Sequence, residues 1–258
     1  MAHSSADSVL QSPWQGLRIG ITGVRGALGQ ALCRQFLAQG AVVVGLSHGP
    51  RPQSEDPSSA PQEWTQWHCD HEEALDPVLR TLDVLVLNHG INPAGDQRSE
   101  TLSQALTINA LSSWRLLNRF EAIAMEFPNE GRPRQLWVNT SEAEIQPALS
   151  PGYELSKRLI GQLVSLRWSN RSAEQRQRMQ LRKLVLGPFK SDLNPLGLMS
   201  ADWVAQQVLV QARMNLSLII VTPNPLTYLV MPISELGRGI YNRLFNRPGP
   251  SGSRSHQR

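Results

Sequence analysis

Short apolar runs alternate along this chain with stretches whose apolar residues recur every third or fourth position. Residues 17–22 form the first run, and Leu28, Leu32 and Phe36 then follow at helical spacing until Gly40, a residue suited to ending a helix. Residues 41–46 are continuously apolar and β-branched, the pattern of a strand covered on both faces of a parallel sheet. Further strands are predicted over 64–69, 84–87, 135–140, 181–186 and 218–221. Helices are predicted over 72–81, 103–126, 151–168 and 200–214, the third with Pro151 in its first turn and the last opened by a Ser-Ala-Asp cap. Strands and helices in alternation imply an α/β class, a doubly wound parallel sheet in a single domain.

The same pattern sets the limits of that domain at 17–222. Residues 1–16 read as a flexible lead-in and 247–258 as a disordered tail. Residues 49–61, rich in proline and serine, replace a helix by a loop, and 170–180 read as a polar surface connection. Between domain and tail, 223–246 is the most apolar late stretch, with Leu236, Ile240, Tyr241 and Leu244 at helical spacing. Three roles compete for it: core or lid packing, a homo-oligomer contact, and a basic amphipathic helix resting on an anionic membrane.

Composition narrows the class without naming a reaction. The chain has 258 residues, 40% hydrophobic and 18% charged, as an ordinary globular protein does. No secretory signal and no long apolar span are evident, so a cytoplasmic location is expected, with peripheral membrane contact left open. Cys33 and Cys69 have no metal or redox spacing and are expected to be reduced. His68-x-x-His71 lacks a third ligand, so no metal is expected. The net charge of +4 comes with two basic stretches, Arg171 to Lys183 and Arg238 to Arg258. Neither is interleaved with stacking aromatics, so both read as solvated faces and no nucleic-acid partner is expected.

Two motifs carry chemistry. Thr22-Gly23-Val24-Arg25-Gly26-Ala27-Leu28-Gly29 joins a strand to a helix through a glycine turn, which aims free N–H groups at a phosphate. Tyr153-Glu154-Leu155-Ser156-Lys157 puts a phenol and an ammonium on one helix face. A phenol ionises near pH ~10, and a neighbouring cation favours phenolate, which suits a general acid/base at a carbonyl or carbinol oxygen.

With these two motifs in order, the chain resembles the short-chain dehydrogenase/reductase family over nearly all of 17–221, and a Rossmann-type fold is implied. Asn88-His89-Gly90 is similar to the family's Asn-Ala-Gly element, which lies beside the cofactor. Thr107-Ile108-Asn109 is similar to the segment whose asparagine completes the catalytic tetrad. Asp70 falls where the family presents an acid near the adenine, and Gly187-Pro188-Phe189-Lys190-Ser191 resembles the loop that meets the nicotinamide, with Ser191 replacing a threonine. The resemblance implies cofactor contacts at Gly23, Arg25, Gly26, Leu28, Ser47, Asp70, Asn88, Gly90, Tyr153, Lys157 and Ser191. It implies catalytic roles for Tyr153, Lys157, Asn109 and a hydroxyl-bearing residue, read as Ser141 with Thr140 in reserve. Alignment from Asn139 instead brings Glu142 to that place. The tight glycine spacing and the inverted Gly-Pro are closer to atypical branches. Residues 139–144 and 186–191 are also similar to the reductase portion of cyanobacterial proteins labelled sterol desaturase/short-chain dehydrogenase, with no desaturase activity implied.

Ser47 and His48 stand where NAD-binding members hold an acid, and Arg25 offers a fork suited to a 2′-phosphate, so NADP(H) is the expected cofactor. The implied activity is hydride transfer between a carbonyl and an alcohol of a small, lipophilic substrate. Tyr153 moves the proton, Lys157 lowers its pKa, Ser141 orients the oxygen and Asn109 supports the relay. One alternative is a non-catalytic NADP-binding protein on this fold. Another is an epimerase or dehydratase of the extended branch, whose members usually carry a large C-terminal substrate domain absent from this sequence.

Overall fold

The computed structural model describes residues 12–52, 59–129 and 131–245. Its centre is a seven-stranded sheet of order β3-β2-β1-β4-β5-β6-β7, parallel throughout. The strands are β1 Arg18–Thr22, β2 Val42–Ser47, β3 Glu63–Gln66, β4 Val84–Leu87, β5 Arg134–Ser141, β6 Met179–Leu186 and β7 Leu218–Val221. Chain order reverses between β1 and β4, which opens a crevice at their carboxyl ends, the place where sheets of this kind bind ligands. The expected doubly wound α/β sheet is the one observed.

Helices α1 (Ala27–Leu37) and α7 (Ala201–Arg213) cover one face of the sheet. Helices α4 (Ser113–Glu126) and α5 (Pro151–Asn170), with the short α2 (Asp76–Leu79), cover the other. Leu28, Leu32 and Phe36 are buried as their spacing predicts. The cores on both faces are built from β-branched and leucine side chains that a two-sided sheet excludes from water.

Several boundaries shift. The helix expected from 103 starts earlier, as α3 (Ser99–Leu106), and runs through a π-turn at Thr107–Ser112 into α4. The connection at 170–180 holds a further helix, α6 (Ala173–Arg178), closed by a capping box between Ser172 and Gln175. The lead-in to the domain is anchored from within: Trp14 is buried edge-on against Phe36 and Trp137, with ring centroids 5.4 Å from each. The expected tail, 247–258, lies outside the described residues.

One expectation fails. The stretch from Arg171 to Lys183 is no solvated face, because Arg171, Arg182 and Lys183 are all buried. β6 lies between β5 and β7, so its side chains meet packed layers on both sides. Lys183 donates to Glu144 at 2.7 Å, to Glu235 at 2.8 Å, and to Ser165 and the Gly161 carbonyl at 3.1 Å. Arg182 sits among neutral acceptors, including Gln180 and the Leu216 carbonyl, and burial lowers its pKa to about 10. Of the three roles open to the late apolar stretch, core packing is the one that its exposure disfavours. The stretch forms helix α8 (Pro225–Phe245), in which Thr227 and Met231 alone are buried while the other apolar side chains stay exposed. Among the described residues no helix is long and apolar enough to cross a membrane.

Candidate active site

The glycine turn sits at the carboxyl end of β1. Gly23 adopts φ +63°, and a Cβ there would lie 2.7 Å from the His89 Cα. A Cβ on Gly29 would meet the Gly23 carbonyl oxygen at 2.4 Å, so both positions require glycine. Gly26 is the N-cap of α1 and offers no side-chain cap, and the first turn of α1 holds no acid. The helix thus presents uncompensated N–H groups and the positive end of its dipole to the crevice. That cradle fits a diphosphate. Leu28 buries its side chain in the core, so only its backbone can face a ligand.

Around the cradle, Arg25 reaches across to the end of β2. A Cβ on Gly49 would lie 2.4 Å from an Arg25 guanidinium nitrogen. Ser47 is buried there and accepts from the Gly49 N–H at 3.5 Å. A cation and a hydroxyl, with no carboxylate at the strand end, suit a phosphorylated ribose. Asp70, at φ +74°, spends its carboxylate on Arg115 at 2.6 Å, a partner the sequence reading did not foresee.

Thr22 is the hinge between β1 and β4. Its hydroxyl donates to the Val86 carbonyl at 3.2 Å and accepts from the Asn88 N–H at 2.8 Å. It also lies 2.8 Å from a ring nitrogen of His89. His89 packs edge-on against Trp67, and burial followed by the Lys157 charge lowers its pKa to about 4. Gly90 passes close under Asn109, where a Cβ would stand 3.0 Å from Oδ1. Asn109, buried in the π-turn, accepts from the Ile91 N–H at 2.7 Å and donates to the Ile91 carbonyl and the Ser156 hydroxyl at 2.9 Å. It clamps the loop after β4 to α5.

At the carboxyl end of β5 the three candidates separate by direction. Thr140 is buried and donates to the Leu184 carbonyl at 3.1 Å. Glu142 turns toward the start of α8, accepting from Thr222 and, at 3.3 Å, from Thr227. Ser141 accepts from the Ala143 N–H at 3.2 Å and stands by the Tyr153 phenol, whose ionised form its hydroxyl favours. Lys157 is buried beside Tyr153, its ammonium 5.7 Å from the ring centroid and donating to the Asn139 carbonyl at 3.1 Å. Burial lowers the Lys157 pKa to about 8, only partly offset by Glu144. Tyr153 departs from expectation: burial, and secondarily Glu142, hold its phenol above the usual value, against the Ser141 hydroxyl. Desolvation outweighs any help from the lysine here.

The structure therefore gathers Ser141, Tyr153, Lys157, Asn88 and Asn109 about the crevice, with Gly23 and Arg25 across it. Ser191 lies on a turn after β6, its hydroxyl accepting from the Asn194 N–H at 3.1 Å. Thr22 and Asn139 were missed. Their sequence signal is a polar residue near the carboxyl end of an apolar strand. A depression of about 520 Å³ lined by Arg132, Arg176, Arg182 and Arg213 lies at the opposite, amino end of β5 and β6, away from these motifs. Among the described residues no group of His, Cys, Asp and Glu is placed to hold a metal.

Comparison with known proteins bears on both fold and site. Residues 19–144 match the NAD dependent epimerase/dehydratase family. The chain is 37% identical over 235 residues to the monoglucosyldiacylglycerol epimerase of Synechocystis, covering 90% of this chain and 56% of that protein. It thus spans little more than half of the curated relative, whose name is that of an epimerase and not of a desaturase. Among solved structures, a short chain dehydrogenase from Burkholderia cenocepacia in complex with NADP superposes with a TM-score of 0.69 at 13% identity, over 91% of this chain and 99% of the other. A short-chain dehydrogenase from Sphingobium yanoikuyae in complex with NADPH gives 0.69 at 15% identity, over 93% and 100%. At such identities the likeness establishes the fold.

Proposed function

We propose that this chain is an NADP(H)-dependent enzyme that interconverts an alcohol and a carbonyl on the sugar of a glycosylated diacylglycerol, and that the exchange serves to epimerise a carbinol centre. The observation that carries the chemistry is the meeting of Ser141, Tyr153 and Lys157 at the crevice beside the glycine cradle. The substrate class and the epimerising outcome rest on the Synechocystis relative and on the epimerase/dehydratase match. The extended-branch alternative is thereby the better supported one.

Gly23, Gly26 and Arg25 hold the dinucleotide, with Ser47 at the ribose and Asn88 and Ser191 near the nicotinamide. When bound, the dinucleotide would supply reversible hydride transfer at the carbinol carbon, and return of the hydride to the opposite face would give inversion without net oxidation. Tyr153 accepts the hydroxyl proton as the carbonyl forms and gives it back as the alcohol is restored. Ser141 donates to the substrate oxygen, and the Lys157 charge beside the ring opposes the desolvation that holds the phenol protonated. Asn109 keeps α5 and the loop after β4 in register for this. The competing reading, a protein that holds NADP without catalysis, draws its support from the raised phenol of Tyr153.

The deciding experiment incubates the chain and NADP⁺ with monoglucosyldiacylglycerol in detergent micelles and follows the sugar by NMR. The inverted glycolipid should accumulate without net NADPH, and Tyr153→Phe should bind NADPH with unchanged affinity yet convert nothing. Turnover retained in Tyr153→Phe would refute the acid/base assignment. Tight NADPH binding with no conversion, on this lipid and on a broad carbonyl panel, would establish the non-catalytic reading instead.

A further inference from the structure

Helix α8 is turned inside out relative to an ordinary surface helix. Its inward residues are largely polar: Glu235 accepts from Lys183 and from Ser165 at 2.8 Å, Arg238 pairs with Glu235 at 3.0 Å, and Asn242 donates to Ser169 at 3.1 Å. Its outward residues are apolar. Leu226, Leu229, Ile233, Leu236, Ile240 and Leu244 are each half or more exposed and fall along one stripe at helical spacing. The only acid in the helix, Glu235, faces in, and the exposed polar end carries Arg243.

The stripe does not stand alone. Leu149, on the connection after β5, is 96% exposed, and Leu196 and Leu198, on the connection after β6, are 80% and 75% exposed. The first turn of α8 follows β7. All three segments thus leave the carboxyl end of the sheet, where Ser141 and Tyr153 sit. The first turn of α8 is tied to that corner through Glu142 with Thr227, and through Gln146 with Asn224 at 3.0 Å. An apolar surface of this extent, which starts at the site mouth and runs away from it along α5 as far as Ser169, marks a place of contact.

We propose that α8 and these leucine-bearing connections dock the protein on an anionic lipid bilayer, with α8 lying in the interface plane and the site mouth facing the lipid. A bilayer brings a diacylglycerol-anchored sugar to the mouth at the head of the stripe, which a second copy of the chain does not. Charge agrees: the exposed stripe holds no carboxylate, and the whole chain carries a net +4 with Arg247, Arg254 and Arg258 following the helix in sequence. This inference rests on the lipid substrate class proposed above, but its test does not require turnover.

The full chain is floated with vesicles of equal parts phosphatidylcholine and phosphatidylglycerol, beside the combined variant Ile233→Ser, Leu236→Ser and Ile240→Ser. These side chains are exposed and remote from the catalytic corner, so NADPH affinity and the thermal midpoint serve as fold controls and should not move. The wild-type chain should float, and the variant should lose at least about a hundredfold in vesicle partitioning, as expected when three buried aliphatic side chains are removed from the apolar phase. Equal flotation of the two would overturn the docking surface. So would a wild-type chain that fails to float, and one that is a dimer by light scattering and dissociates in the variant would assign the stripe to a second copy. Tyr153→Phe should float as the wild type does, so failure of the proposed chemistry and failure of the docking surface read out separately.

Discussion

Single residues bear on cofactor preference and on stability in acid. Arg25 is the only cation that the glycine turn brings to the end of β2, against Gly49. If its guanidinium grips a 2′-phosphate, Arg25→Ala should reduce the preference for NADP over NAD by about tenfold to a hundredfold, equal to the roughly 1.5–3 kcal/mol of a charge-assisted hydrogen bond. Ratios of kcat/KM or of Kd for the two cofactors read this directly, and an unchanged ratio would place the selectivity elsewhere. His89 bears on stability. Its ring titrates near pH ~6.5 in the unfolded chain and at about 4 in the fold, because burial and Lys157 disfavour the imidazolium. Between those values the unfolded state binds more protons, so stability is full above the upper value and falls as pH drops through the window. The loss attributable to this one ring is on the order of 3 kcal/mol. Urea unfolding across the window should show it, and His89→Gln should flatten that part of the profile.

Among the elements, the π-turn between α3 and α4 does the positioning. One extra residue in the turn delivers the Asn109 side chain inward, where both its amide atoms hold the Ile91 backbone and Ser156 on α5. The turn therefore couples the loop beside the cradle to the helix that carries Tyr153 and Lys157. Asn109→Ala leaves the half-buried Ile91 N–H and carbonyl without their side-chain partner, and a loss of ~1–3 kcal/mol in urea unfolding is expected. A cost under ~0.5 kcal/mol would mean that water replaces the clamp freely. Helix periodicity foretold a helix here but not the π-turn, since the residues that define it are ordinary helix formers.

At the scale of the molecule, α8 is held to the Rossmann domain by buried charge. Lys183 and Glu144 have fully buried side chains, and Glu235 and Arg238 from α8 complete the group. Burial raises the Glu144 pKa despite the Lys183 charge beside it, a sign that desolvation is large at this point. Lys183→Met takes from the buried Glu144 carboxylate its closest cation, leaving it Arg238 at 3.8 Å, and should cost ~3–5 kcal/mol, while Lys183→Met combined with Glu144→Met should recover much of it. Urea unfolding gives the energies, and limited proteolysis within α8 shows whether the helix detaches. A single variant as stable as the wild type would show that the network contributes nothing net to attachment.

Order of strands and helices, the glycine turn and the Tyr153–Lys157 pair were all set by the sequence itself. Each depends on near neighbours: a period of two or of 3.6, a glycine where φ must be positive, two side chains one helical turn apart. Tertiary structure decided matters that local spacing leaves open. Residues 140, 141 and 142 close a strand, and successive side chains point to opposite faces, so a shift of one residue changes which group meets Tyr153. Only the pairing of β5 with β6 sends Thr140 to Leu184 and leaves Ser141 toward the phenol. The Arg171-to-Lys183 stretch read as solvated charge until β6 took an interior place in the sheet. Amphipathic spacing likewise says that α8 has two faces and not which one turns inward. Lys183 and Glu144 lie beneath it, and their need for partners out of water turns the polar face in and the leucines out.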